Sequence, residues 1–189
     1  KLKEPLVVIS GLPTHEIKEH LDGLPAIILG QQGNDSPDWK NLLTLGEEAE
    51  VKRYVDKFKE YWEVYNDKQE ILQNRGGVVC FSFTGHFAPK DYKARFDPNR
   101  LFRRWILESF PFTSKTLTVG ISGSTTLDFT RKDWKKGNNI KRYLELHAIN
   151  PKDCIYYGDS LFPEGNDHSV IGVMKCIEVT SPDDLITKL

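Results

Sequence analysis

Short apolar runs alternate with amphipathic segments near both ends of the chain. The runs at residues 6–9, 26–29, 154–157 and 175–179 are rich in β-branched or aromatic side chains, which is typical of buried parallel strands. Helical spacing over residues 14–21 predicts a short helix with Thr14 as its N-cap. Ser181 is the predicted cap of a last helix. This alternation predicts an α/β core in which the strands are parallel.

The middle of the chain has a different pattern. Residues 46–65 carry aromatic and apolar side chains at helical spacing and predict one long helix. Residues 77–83 read as a strand, residues 97–110 as a second helix, and residues 117–130 as a hairpin that turns at Ser122-Gly123-Ser124. We therefore expect an α+β insertion, residues 30–131, with an antiparallel sheet and two helices, between core segments 1–29 and 132–189.

Composition and charge exclude several classes of protein. The chain has 189 residues with 26 basic and 27 acidic side chains interspersed, so no field that would attract nucleic acid is expected. Apolar runs stay far below the roughly 20 residues that span a bilayer. Neither a membrane partner nor a leader is expected, and the predicted compartment is the cytoplasm. The three cysteines lie singly in apolar runs, which favours free thiols.

The densest group of candidate functional residues follows the predicted strand at 154–157. Asp159 comes directly after Gly158, and Asn166-Asp167 follow Gly165. Ligands of open α/β sheets bind at the carboxyl ends of strands, and Mg²⁺ is usually held by one or two carboxylates together with substrate phosphate. These acids therefore predict a metal and phosphate site.

Two further candidates lie at the borders of the core segments. Ser10 ends the first strand and precedes Gly11, so its hydroxyl and the nearby backbone N–H groups are candidates for binding an anionic oxygen. Lys136 begins the helix that returns to the core, where its charge would neutralise phosphate. Taken alone, Ser10 is more simply a structural residue of the turn, and Lys136 is more simply a solvated lysine.

The order of these motifs resembles the haloacid-dehalogenase-like (HAD) phosphotransferases. The order is strand and Ser10, an inserted cap, Lys136-Gly137, then strand and Gly158-Asp159 with Gly165-Asn166-Asp167. The pattern from Gly158 to His168, with Pro163, is similar to eukaryotic-type phosphomannomutases and to bacterial sugar phosphatases. The resemblance implies a Rossmann-like parallel core with a sheet-containing cap, and it spans nearly the whole chain.

The resemblance also implies roles for individual residues. Asp159 would coordinate Mg²⁺, and Asp167 would support the metal directly or through a water. Asn166 would orient the phosphoryl group, and Ser10 and Lys136 would bind its oxygens. In the cap, Arg75, Thr126 and Asp128 match positions that contact the sugar or a distal phosphate, although strand-surface residues are an equal alternative for these three.

One motif of the family is absent from the sequence. Its nucleophile lies in an Asp-x-Asp pair after an apolar strand, and no such pair occurs here. Leu127-Asp128-Phe129-Thr130 lacks the second acid of the pair and lies in the cap hairpin. We expect a segment of about 25 to 35 residues, enough for a strand, a loop and a helix, to be missing upstream of Lys1.

Three functions agree with this sequence. The first is a Mg²⁺-dependent phosphatase acting on a phosphorylated sugar through an aspartyl-phosphate. The second is a phosphomannomutase-like mutase, which is less favoured because arginines are few in the cap. Lys90, Lys93 and Arg95 are candidate replacements, but a lysine is not equivalent to an arginine at a phosphate. The third is a non-catalytic relative that binds sugar phosphates. The helix face with Tyr61 and Trp62 is a candidate surface for a homodimer.

Overall fold

A computed structural model describes residues 5–189. The described chain begins with strand β1 (Val7–Ile9), helix α1 (Thr14–Leu21) and strand β2 (Ile27–Leu29). The two strands pair in parallel, as predicted. Thr14 is not the N-cap, because Pro13 holds that position and the Thr14 hydroxyl donates to Asp35 Oδ2 at 2.6 Å.

An antiparallel sheet with helices follows. Its elements are α2 (Leu45–Val55), β3 (Leu72–Asn74), β4 (Val79–Ser82), α3 (Lys90–Phe96), α4 (Leu101–Ser109), β5 (Leu117–Ser122) and β6 (Thr126–Arg131). The four strands lie in the order β3-β4-β6-β5. The hairpin predicted around Ser122 to Ser124 is confirmed, since β5 and β6 pair directly. The sequence analysis does not predict the short elements β3 and α3.

The long helix predicted over residues 46–65 is wrong in length. Helix α2 ends at Val55, and a 3₁₀ helix continues over Asp56–Tyr61. The backbone of Phe58 leaves the helical region (φ −121°, ψ 32°). Its ring is fully buried against Phe81 and Phe83, so aromatic packing continues the apolar pattern beyond the end of the α-helix.

The last part of the chain returns to parallel strands. Helix α5 (Lys136–Leu146) precedes strand β7 (Ile155–Gly158), which pairs in parallel with β8 (Lys175–Glu178). Helix α6 (Pro182–Lys188) closes the chain, and the Ser181 side chain accepts from Asp184 N, which confirms the predicted cap. No helix among residues 5–189 combines the length and apolarity that a membrane crossing requires.

The parallel strands form two separate pairs. Within residues 5–189, β1 pairs with β2 and β7 pairs with β8, and no pairing joins β1 to β7. Val7 is 39% exposed and Ile155 is 49% exposed. The expectation of fully buried parallel strands is therefore wrong for β1 and β7, because each has one strand neighbour instead of the two that enclose a central strand.

Two hydrophobic clusters hold the molecule together. The larger packs α2 and α4 onto the antiparallel sheet through aromatic rings such as Phe58, Phe81 and Phe129. The smaller packs α5 onto both parallel pairs through residues that include Leu29, Ile140 and Tyr156. Trp39 belongs to this second cluster, although it lies in segment 30–131, and the domain boundaries stay a prediction.

The rings proposed for a homodimer surface are used within the chain. Tyr61 packs edge-to-face on Trp105 at 5.1 Å between ring centroids, and Trp62 contacts Phe81 at 5.3 Å. Both rings are half-buried against the larger cluster. The homodimer stays a prediction.

Candidate active site

One cleft lies where the carboxyl ends of β1 and β7 meet the antiparallel sheet. Its volume is about 770 Å³, within the range of small-molecule sites. All eight residues predicted for the site line this cleft, although they come from four different parts of the chain. They are Ser10, Arg75, Thr126, Asp128, Lys136, Asp159, Asn166 and Asp167.

Strand β7 positions the acidic end of the cleft. Gly158 is its last residue, and Asp159 follows with an exposed side chain. The only hydrogen bond to the Asp159 carboxylate in the described structure comes from Ser160 Oγ, which donates to Oδ1 at 3.2 Å. Most of the lone pairs of this carboxylate are therefore available to a ligand.

Asp167 has a very different environment. It is 2% exposed, and its Oδ1 accepts from both the Lys136 ammonium and the Tyr156 hydroxyl, the latter at 2.7 Å. Its Oδ2 accepts from the backbone N–H of Ser160 at 3.1 Å. Three of the roughly four lone-pair sites of this carboxylate are therefore already occupied by protein donors.

Charge and burial compete at this buried group. Burial alone raises the pKa of Asp167, but the Lys136 charge and its hydrogen bond, with those from Tyr156 and Ser160, hold that pKa below its ordinary value. Burial raises the pKa of Tyr156 far above its usual range, and the Asp167 charge adds to the effect. Asp167 is therefore ionised and Tyr156 keeps its proton at neutral pH.

Two glycines allow these groups to approach each other. A Cβ added at Gly158 would lie 2.6 Å from Asp167 Oδ2, and one at Gly137 would lie 1.8 Å from the Ser169 carbonyl oxygen. Lys136 and Asp167 meet because the start of α5 packs against the turn at His168–Val170. Close backbone packing thus positions the ion pair.

Ser10 lies at the carboxyl end of β1, beside the start of α1. Its Oγ accepts from Leu12 N at 3.2 Å, so the hydroxyl stabilises the turn. The same residue lines the cleft. The role of Ser10 in stabilising the turn is therefore compatible with the predicted role of its hydroxyl in binding an anionic oxygen.

The sheet wall of the cleft carries the three predicted sugar-contacting residues. Arg75 Nη1 donates to Gly11 O at 3.0 Å, and Asp128 Oδ2 accepts from Gln32 Nε2 at 2.9 Å. The Thr126 hydroxyl donates to Ser122 O. Two of these contacts, those of Arg75 and Asp128, join the antiparallel sheet to the segment around β1 and β2.

Sequence reasoning missed several residues of the cleft. Tyr156 was read as part of an apolar strand, and His86 lies in a loop with no motif signal. His86 and Lys93 line the same wall as Arg75. Burial lowers the pKa of both groups, and the Arg75 charge lowers that of Lys93 further. Lys93 is one of the predicted candidates to replace a cap arginine, whereas only the spatial proximity to Arg75 identifies His86.

The loop after Asp159 also touches the antiparallel sheet. Asn166 Nδ2 donates to Ser122 Oγ at 3.2 Å, and Ile121 N donates to Glu164 O at 2.8 Å. Arg100 stacks on the Phe162 ring at 4.3 Å. The loop that carries Asn166 is therefore fixed against β5 and α4, and the hydrogen bond to Ser122 holds the Asn166 amide at the cleft.

The donor set can be compared with what Mg²⁺ requires. Residues 5–189 contain no group of three or more His, Cys, Asp or Glu arranged to hold a metal ion. Mg²⁺ keeps several waters and commonly uses one or two carboxylates plus phosphate. The free carboxylate of Asp159 with Asp167 behind it fits this mode of binding.

Solved structures with similar folds were found. Sucrose-phosphatase from Synechocystis sp., solved with sucrose and phosphate, is 16% identical with a TM-score of 0.54, covering 97% of this chain and 73% of that one. A haloacid dehalogenase-like hydrolase from Bacteroides thetaiotaomicron is 13% identical with a TM-score of 0.56, covering 97% and 85%. IMP-nucleotidase from Plasmodium falciparum is 13% identical with a TM-score of 0.60, covering 98% and 58%.

At these identities the similarity is one of fold. The chain has the HAD-like fold with a sheet-containing insertion, as the sequence resemblance predicted. No protein-family model matches the sequence, and no curated protein matches it.

Proposed function

We propose that this chain, which shares the fold of those phosphatases, forms the metal-binding and phosphate-binding part of a phosphatase that acts on a phosphorylated sugar through an aspartyl-phosphate. The main support is the convergence of all eight predicted residues on one cleft. A further support is that the similar structures include a sucrose-phosphatase. We propose the cytoplasm as the compartment, where free thiols such as Cys80, Cys154 and Cys176 persist.

Each part of the proposed site has a physical role. Phosphoryl transfer develops negative charge on the equatorial oxygens, so positioned positive charge supplies most of the catalysis. Lys136 would bind one of these oxygens from the buried side of the cleft. The Ser10 hydroxyl and the Asn166 amide would orient the others.

The proposed cofactor is Mg²⁺, held by Asp159 and supported by Asp167 through a water. When bound, it would neutralise charge on the transferring phosphoryl group. Asp167 would also hold Lys136 in place, because its carboxylate accepts from the ammonium. Arg75, Thr126 and Asp128 would contact the sugar.

The nucleophile is a separate matter, since the sequence contains no Asp-x-Asp pair. We propose that the nucleophile is the first acid of such a pair, at the end of an apolar strand in a segment outside these 189 residues. If no such segment exists in the protein, the site would bind sugar phosphates without turning them over, which is the non-catalytic alternative.

The test uses a polypeptide that contains these 189 residues together with an apolar strand ending in Asp-x-Asp. The measurement is the release of phosphate from a panel of hexose phosphates in the presence of Mg²⁺. Asp159→Ala is expected to lower kcat by at least about 100-fold, because the metal loses its free carboxylate. Asp153→Ala is the matched control, since Asp153 lies in the exposed turn before β7 and outside the cleft. Equal activity of the Asp159 variant and the unsubstituted protein would remove the assignment.

A sugar phosphate mutase is the second candidate. Arg75 and Lys93 line the cleft without a carboxylate within ion-pair distance among the described residues, so two positive charges are available to a second phosphate. The product formed from a hexose 1-phosphate separates the two activities. A phosphatase releases free phosphate, whereas a mutase yields the 6-phosphate isomer.

A further inference from the structure

Tyr156, Lys136 and Asp167 form a closed triangle of hydrogen bonds at the buried side of the cleft. Lys136 Nζ donates to Asp167 Oδ1 and to the Tyr156 hydroxyl oxygen, the latter at 3.4 Å. The Tyr156 hydroxyl in turn donates to the same Asp167 oxygen at 2.7 Å. The phenol thus accepts from the cation and donates to the anion of one ion pair.

The ion pair itself is almost removed from solvent. The side chain of Lys136 is 5% exposed and that of Asp167 is 3% exposed. An ammonium has three N–H donors and rotates about its Cε–Nζ bond. The Lys136 ammonium has no acceptor other than these two within the part of the chain that the structure describes, so at least one N–H is left for a ligand.

We infer that the Tyr156 hydroxyl is a positioning group, which fixes the position of the Lys136 ammonium so that a free N–H is directed into the cleft for an oxygen of the phosphate. With two contacts, to Asp167 and to Tyr156, the Nζ atom is held from two sides. With Asp167 alone, changes in the side-chain torsions of Lys136 can move Nζ along an arc around that one oxygen, and the free N–H changes direction with it. The inference rests on the proposed role of Lys136 at the phosphate.

The ring of Tyr156 has a separate structural role. It contributes to the smaller hydrophobic cluster with residues such as Ile140 and Val170, and Phe would retain this packing. The substitution Tyr156→Phe therefore removes the hydroxyl and leaves the apolar contacts in place.

The experiment measures the dissociation constant of inorganic phosphate for the 189-residue chain by calorimetry. Tyr156→Phe is expected to weaken phosphate binding by about 3- to 10-fold, the effect of losing one net hydrogen bond. Tyr54→Phe is the matched control, since Tyr54 is a buried tyrosine of the larger cluster whose hydroxyl donates to Phe110 O at 2.6 Å, away from the cleft. It should lose stability and keep the phosphate affinity.

The outcomes separate the inference from the proposed function. If the unsubstituted chain binds phosphate and Tyr156→Phe binds it equally well, the hydroxyl has only a structural role and the inference fails, while the proposed function stands. If the unsubstituted chain does not bind phosphate, both fail.

A second variant keeps the inference testable when the first variant misfolds. If Tyr156→Phe does not fold, 4-aminophenylalanine at position 156 restores an N–H donor to Asp167 and packs like tyrosine. Its amino nitrogen is a poor acceptor for the Lys136 ammonium, so its phosphate affinity should fall by about 3- to 10-fold, as expected for Tyr156→Phe. An unchanged phosphate affinity in this folded variant would contradict the positioning role.

Discussion

Gly137 is the point where the helix that carries Lys136 lies closest to the turn after Asp167. A Cβ at this position would meet the Ser169 carbonyl oxygen at 1.8 Å and its carbon at 2.4 Å. Both atoms belong to the backbone, so no side chain can move aside. The position of Lys136 therefore depends on the absence of a side chain at its neighbour.

We predict that Gly137→Ala destabilises the fold by about 1–3 kcal/mol or more, because the helix must move away from the turn. The same movement should weaken phosphate binding, since it separates Lys136 from Asp167. Thermal unfolding and calorimetry measure the two effects.

Gly46→Ala is the control for this substitution. Gly46 lies in α2, where the nearest atom to an added Cβ is Thr44 Oγ1 at 3.9 Å. Alanine there should be neutral or stabilise by up to about 1 kcal/mol. An unchanged melting temperature for Gly137→Ala would contradict the close approach at Ser169.

At the scale of residues, the sequence motifs predicted which side chains line the cleft. Asp159, Asn166 and Asp167 follow a strand with glycines between them, and the resemblance located Ser10 and Lys136. Tyr156 could not be found this way, because a tyrosine in an apolar strand is most simply a core residue. Its hydroxyl gains a role only from two side chains, Lys136 and Asp167, that lie 20 and 11 residues away along the chain.

At the scale of elements, α2 shows how a helix start is joined to a distant strand. The Thr44 side chain accepts from Glu47 N, and the Glu47 carboxylate accepts from Thr44 N, which makes a capping box. The same carboxylate accepts two hydrogen bonds from Arg131 of β6, at 2.8 and 3.0 Å. One acid thus stabilises both the helix end and its contact with the sheet.

These contacts predict a pH dependence. Burial alone raises the pKa of Glu47, but the bonds from Arg131 and Thr44 outweigh burial and lower it from 4.5 to about 2. A lowered pKa in the folded state means that the stabilisation is complete above the unfolded pKa and is lost as the pH falls from about 4.5 towards about 2.

The measurement is the melting temperature from about pH 5 to about pH 2. Glu47→Gln should be less stable at the upper end and should depend less on pH across this window. Glu50→Gln, on the same helix and without a hydrogen bond to its side chain in the described structure, should keep the original pH dependence. Identical pH profiles for Glu47→Gln and the unsubstituted chain would contradict the role of Glu47.

The accuracy of the predicted elements followed the strength of their local signal. The β5–β6 hairpin was predicted because its turn residues and alternation are local. Strand β3 is three residues long, which is too short to show a period. The sequence predicts too long a helix for α2, because the ring of Phe58 is buried by tertiary packing and continues the apolar pattern. The exposure of β1 and β7 depends on which strands lie beside them, which no local pattern contains.

At the scale of the whole molecule, the cleft exists because distant segments converge. The residues that follow β1 and β7, Ser10 and Asp159, line one side of the cleft. Arg75, Cys80 and Asp128, in or next to β3, β4 and β6, line the opposite wall. The order of motifs predicted this convergence through the resemblance. The geometry of the individual contacts, such as Asn166 against Ser122, required the structure.

The central claim is that this cleft binds a sugar phosphate with Mg²⁺ at Asp159. Its most direct test is calorimetric binding of a hexose 6-phosphate to the chain, with and without Mg²⁺, for the unsubstituted protein, Asp159→Asn and the control Asp153→Asn. We expect Mg²⁺ to tighten binding by about tenfold or more in the unsubstituted protein and in the control, and we expect Asp159→Asn to abolish this effect. Binding that is equally tight without Mg²⁺, or a Mg²⁺ effect that persists in Asp159→Asn, would contradict it.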